Sequence, residues 1–152
     1  MITIREANPE DRDPIAHWQV AMAEETEGRS LPRDVVTAGV AAALADPSKG
    51  FYLIAERDQV PVASLFVTRE WSDWRNGWFW WIQSVYVEPN SRGIGVYRAM
   101  HAAVTARAME AMDRVVGIRL YVEQDNARAR STYEARGMHA TAYRLYEQGL
   151  LS

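Results

Sequence analysis

The stretch from Ile82 to Met100 constrains this chain more than any other. A β-type run, Ile82-Gln83-Ser84-Val85-Tyr86-Val87, ends at Glu88-Pro89, and the short loop Arg92-Gly93-Ile94-Gly95 then opens an Ala- and Met-rich helical segment. A strand feeding a glycine loop at a helix start leaves backbone N–H groups unpaired, and the glycines let an anion come close to them. The pattern points to a phosphate-bearing ligand. It is not a P-loop, because no Gly-Lys-Ser/Thr follows, and it lacks the third glycine of the dinucleotide fingerprint. Alone, Gly93-Ile94-Gly95 is equally an ordinary tight turn.

The 152 residues suit one domain, residues 1–152, built around a single core. A net charge of −3 gives no support to nucleic-acid binding, which leaves a basic footprint. The absence of cysteine excludes disulfides, thiolate nucleophiles and cysteine metal sites. His17, His101 and His139 have no ligand spacing, so no metal is expected. The N-terminal Met1-Ile2-Thr3-Ile4-Arg5-Glu6 has no charged-then-apolar leader pattern, and no apolar run is long enough for a membrane span. These features predict a cytoplasmic protein.

Local signals order the chain as β-α-α-β-β-β-α-β-α-β. Ile2–Glu6 alternates as a strand, and Asn8-Pro9-Glu10-Asp11 starts a helix that runs to about Thr26. Leu31-Pro32-Arg33-Asp34 opens a second helix that stops near Asp46-Pro47. Strands follow at Phe51–Glu56 and Val62–Glu70, and a third from Trp78 to Val87 after the Asn76-Gly77 turn signal. The helix after Gly95 places Tyr97, Met100, Val104, Ala108 and Ala111 on one face. Val115–Val122 is a strand, Asn126–Arg136 a helix closed by Gly137, and Met138–Glu147 a last extended segment. The fold class is therefore α/β, in the α+β sense: a mixed, mostly antiparallel sheet of six or so strands with about four helices.

Asn126 and Tyr133 lie on the last helix, near two turns apart, so both face the same way. Their axial separation of roughly 10 Å suits a helix touching an extended ligand arm at two points. Together, the glycine loop and the segment Asn126, Ala129, Tyr133, Gly137-Met138 resemble the GNAT superfamily of acyl-CoA-dependent N-acetyltransferases. The family's phosphate motif is met by Asn90-Ser91-Arg92-Gly93-Ile94-Gly95, with Asn90 where Gln or Arg is usual. That departure bears on one phosphate contact, for which Arg92 or Arg98 is the substitute.

The resemblance implies acetyl-CoA as cosubstrate. It implies that backbone groups of Val85 and Val87, with Tyr86 between them, line the pantetheine arm. The N–H groups of Arg92, Gly93, Ile94, Gly95 and Val96, next to Tyr97, would hold the diphosphate. Asn126 would contact the arm from the other side, and Tyr133 would sit near the thioester sulfur. The family's usual position for a carboxylate base is taken by Gln83, so Glu25 and Glu27, at the end of the first helix, are the substitute catalytic candidates. The acceptor is then a primary amine of a small molecule or peptide. The opposing reading is a non-catalytic acyl-CoA-binding or sensing domain.

Five of the six tryptophans lie between Trp71 and Trp81. Trp78, Trp80 and Ile82 share one strand face and Phe79, Trp81 and Gln83 the other. One set belongs in the core; the other, with Trp71 and Trp74, suits an acceptor pocket or a subunit contact. The resemblance implies two strands after the last helix, so the short stretch after Gly137 would leave the sheet with an edge to cover. A homodimer is expected, and a monomer in light scattering at micromolar concentration would contradict it.

Overall fold

The computed structural model describes residues 1–151, which divide into two compact units, Met1–Tyr121 and the segment from Val122 onward. The first unit holds a five-stranded sheet whose strands lie side by side in chain order. Its strands are β1 (Ile2–Glu6), β2 (Phe51–Arg57), β3 (Val60–Ser72), β4 (Gly77–Val87) and β5 (Val115–Leu120). The first four pair antiparallel, and β5 joins β4 in parallel. A parallel neighbour requires a crossover, and helix α3 (Val96–Glu110) makes it. Helices α1 (Arg12–Glu27) and α2 (Arg33–Ala45) lie between β1 and β2 in the chain. The second unit contains α4 (Ala127–Ala135). Among the described residues no helix is long and apolar enough to cross a membrane.

Alternation along the strands divides the first unit's core into two layers. Leu53, Ala55, Ala63, Leu65, Val67, Trp80 and Ile82 pack with Val96, Met100 and Val104 of α3. Tyr52, Ile54 and Tyr86 pack with Ile15, Trp18, Val40 and Ala43 of α1 and α2. The expected stripe on α3 is present: Met100 and Val104 are buried, and Tyr97, Ala108 and Ala111 pack against the same cluster. Trp78 packs there too, beside buried Trp80 and Ile82. Phe79, on the opposite face, is also buried.

Turn chemistry sets the hairpins. Asp58 and Gln59 both have positive φ, 52° and 70°, the left-handed pair of a tight two-residue connection between β2 and β3. Asn76, at φ 50°, reverses the chain before β4. Arg5 anchors the start of α1 to the sheet, with nitrogens 2.8 and 3.0 Å from the two Asp11 oxygens and a third bond to Glu56 at 3.0 Å. Burial alone would raise the Asp11 carboxyl, but hydrogen bonds from Arg5 and the Asn8 N–H hold it below its ordinary range.

The structure differs from the expected order in one element. Residues Met138–Glu147 form no ladder among the described residues, so the sheet has five strands. Composition marks that segment as extended, but a strand exists only where a neighbour supplies hydrogen bonds.

Tyr52 stacks on Phe66 with ring centroids 4.4 Å apart. Burial pushes its phenol up to about 12. Because the folded value lies above the unfolded value of about 10, this contribution to stability is complete below pH ~10 and is lost as pH rises through about 12. Denaturant midpoints measured across that range should fall less steeply for Tyr52→Phe than for the natural chain.

Candidate active site

Strand β4 outlasts its partner. Its ladder to β5 runs from Trp78–Val115 to Ile82–Leu120 and stops, while its ladder to β3 continues to Val87–Ala63. A bulge marks the parting point. Gln83 faces Phe66 and Tyr86 faces Ser64, so Ser84 and Val85 together oppose Leu65. Ser84 takes φ 55°, a left-handed conformation that costs energy in a side-chain-bearing residue and re-aims the strand. Gln19 of α1 donates its amide to the Ser84 carbonyl at 3.4 Å. Beyond the bulge, the Glu88 N–H bonds to Val62 of β3 at 2.8 Å. Strand period two then turns the N–H and C=O groups of Val85 and Val87 away from β3, toward the side β5 has left. The Val87 carbonyl accepts from the Arg92 Nε at 2.8 Å.

The loop after β4 supplies donors. A short turn over Pro89–Ser91 leads to Arg92, and Gly93 and Gly95 take φ 76° and 89°. No heavy atom lies within 4 Å of a Cβ built on either glycine, so the left-handed backbone, not crowding, selects glycine here. Helix α3 starts after Gly95 without a side-chain cap. The N–H groups of its first turn therefore lack helical partners and carry the positive end of the helix dipole. Asn90, at the motif's departure, has its backbone carbonyl bonded by Arg57 at 3.3 Å.

Arg92 gathers the neighbouring groups. Its Nη2 lies 2.8 Å from the Glu25 carboxylate, and its guanidinium sits 5.3 Å from the centre of the Tyr86 ring. Burial raises the Tyr86 phenol above its ordinary value, and the Glu25 charge adds to the rise while Arg92 opposes it. Glu88 accepts from the Trp18 indole N–H at 2.6 Å, tying the end of β4 to α1. Of the two expected carboxylates, Glu25 is thus brought to the glycine loop, whereas Glu27 is an exposed residue at the end of α1. Trp18, Gln19 and Glu88 were not legible as site residues, since Trp18 and Glu88 meet across 70 positions and no local spacing announces them.

Just before the bulge, Gln83 donates its amide to Thr68, and Trp81 and Arg119 both donate to one oxygen of Glu70, at 3.2 and 2.9 Å. The Trp81 ring lies 4.5 Å from that of Tyr121. Trp74 is exposed, and half-exposed Trp71 meets Trp78 edge-on at 5.0 Å. Tyr97 contacts His101 Nδ1 through its hydroxyl at 3.1 Å, one turn along α3.

In the second unit, Asn126 caps α4 by accepting from the Ala129 N–H at 3.0 Å, which leaves its amide N–H groups as donors. The helix ends as expected at Gly137, φ 90°. The N–H of Met138 reaches the Tyr133 carbonyl at 3.2 Å and that of Gly137 the Glu134 carbonyl at 3.0 Å, the double bond of a Schellman cap. Burial raises the Tyr133 phenol above its ordinary value.

The chain matches the model of the Acetyltransferase (GNAT) family over residues 12–138, and it belongs to that family. It is similar to the structure of a possible acetyltransferase from Clostridium difficile 630, at 41% identity and TM-score 0.91, over 100% of this chain and 99% of that one. It shares its fold with a predicted acetyltransferase from Clostridium acetobutylicum described with acetyl-CoA, at 21% identity and TM-score 0.79, over 97% and 96% of the two chains. It also shares it with ribosomal-protein-alanine N-acetyltransferase from Brucella melitensis biovar Abortus 2308, at 16% identity and TM-score 0.77, over 99% of each. No curated protein matches the sequence.

The left-handed glycines make a direct test. Gly95→Ala should cost about 1 kcal/mol of stability, read as a lower urea midpoint. Ile94→Ala, at an exposed position, should leave the midpoint nearly unchanged.

Proposed function

We propose that this chain transfers an acetyl group from acetyl-CoA to a primary amine of a small molecule or peptide, by direct attack of the amine. The observation that carries the reading is a β4 edge left open past Ile82 that runs into an uncapped, glycine-opened helix start. These residues suit the cosubstrate. An extended, amide-bearing arm matches the outward backbone groups of Val85 and Val87, and a diphosphate matches the N–H groups of Arg92 to Val96. Tyr86 and Tyr97 flank those two contacts, and the spare donors of Asn126 suit the arm's carbonyl groups. The acetyl-CoA described with the Clostridium acetobutylicum protein supports the same choice.

Bound there, acetyl-CoA supplies a thioester carbon activated for transfer. The protein's share is binding and proton management. Deprotonating an alkylammonium of pKa ~10.4 at neutral pH costs about 4.6 kcal/mol, and Glu25 and Glu27 are the proposed takers of that proton. Full proton transfer from a tyrosine to a thiolate of pKa ~8.5 would be uphill by roughly 2 kcal/mol. Tyr133 therefore acts as a hydrogen-bond donor to charge developing on sulfur, giving up its proton late or through water. With no cysteine in the chain, a cysteinyl acyl-enzyme is not part of the scheme. We assign the protein to the cytoplasm, as a homodimer without metal, on the grounds of composition and of β5 as an edge strand of the sheet.

Gln83 favours a second reading, an acyl-CoA-sensing domain, because its amide is bonded to Thr68 and cannot accept a proton. Thiol release from acetyl-CoA against pooled primary amines separates the two. Turnover is expected, and Tyr133→Phe should lower it about tenfold or more with unchanged acetyl-CoA affinity. Equal turnover in that variant would remove Tyr133 from the mechanism. Acetyl-CoA binding with no release across the panel would favour sensing.

A further inference from the structure

Arg92 belongs to the glycine loop, yet its side chain points back from it. One nitrogen covers the outward carbonyl of Val87 at 2.8 Å, another holds Glu25 of α1 at 2.8 Å, and the plane lies 5.3 Å from the Tyr86 ring centre. The Arg92 and Glu25 side chains are each 42% exposed, so the ion pair is accessible and readily exchanged. A guanidinium is a fork that suits phosphate oxygens as well as a carboxylate. The loop has no other cation between Glu88 and Tyr97, and Asn90 stands where the motif usually carries a longer polar or basic side chain.

We propose that Arg92 is a partner-exchanging phosphate ligand: Glu25 holds it in the free protein, and the diphosphate of the cosubstrate draws it away, freeing both the Glu25 carboxylate and the Val87 carbonyl. The inference rests on the acetyl-CoA reading of the same site. It gives Glu25 a second role, as the counter-charge that competes with the cosubstrate. The same exchange uncovers the Val87 carbonyl on the open edge, where an extended arm would pair. By linkage, whatever weakens the Glu25–Arg92 pair must strengthen cosubstrate binding, and cosubstrate binding must loosen the pair by the same factor.

The test is a double-mutant cycle read by calorimetric titration of free CoA at low ionic strength, which needs no turnover. Glu25→Gln should tighten CoA binding about two- to fivefold, the range an exposed ion pair supports. In an Arg92→Gln background the same Glu25→Gln change should have no effect, and CoA binding itself should be weaker. The tightening should fade at molar salt. Equal or weaker binding by Glu25→Gln would overturn the proposal. So would tightening that persists without Arg92, since Glu25 would then act by simple repulsion of an anionic ligand. Absence of any CoA heat in the unaltered protein would instead bring down the acetyl-CoA reading beneath it, so the two failures are distinguishable.

Discussion

A backbone N–H or C=O turned out of a sheet must find a partner, and β4 turns out several at once. Its pairing with β5 ends at Ile82–Leu120 while its pairing with β3 persists to Val87. Leaving such groups unmatched where water is scarce costs free energy of the order of a lost hydrogen bond. An extended ligand carrying amides can take the place of the departed strand. Everything proposed for the site depends on this parting: where the arm lies, which residues line it, and why the donor-rich start of α3 follows immediately along the chain.

Local strain and local charge maintain the arrangement. Ser84 is held left-handed at the bulge, with its carbonyl accepting from Gln19 of α1, and Gly93 and Gly95 take positive φ without crowding. The Trp18–Glu88 and Glu25–Arg92 contacts then join α1 to the end of β4 and to the loop. The far end of α1 is fixed independently by the Arg5–Asp11 pair, so α1 is anchored at both ends against the sheet. A helix held in this way can present carboxylates to the site at defined positions.

Much of this is legible in residues taken a few at a time. The alternation Trp78, Trp80, Ile82 and the stripe Tyr97, Met100, Val104 identify the two surfaces that form one core layer, because each pattern has the period of its own element. Gly28 and Gly137 mark helix C-termini through the left-handed backbone such ends favour, and Gly95 marks the left-handed turn into α3. What remains hidden is whatever depends on distant pairing. Nothing local to Ile82 announces that β5 leaves there, and nothing near Glu25 names Arg92 as its partner 67 residues away. Met138–Glu147 errs for the same reason: its composition is that of a strand, but no ladder forms.

The most direct check on the account is amide hydrogen exchange over residues 83–96, followed with and without CoA. Slower exchange is expected at Val85 and Val87 and at the N–H groups of Arg92 to Val96, with β2 unaffected. Exchange at Val85 and Val87 that stays the same under saturating CoA would contradict the claim that the open edge of β4 is where the cosubstrate pairs.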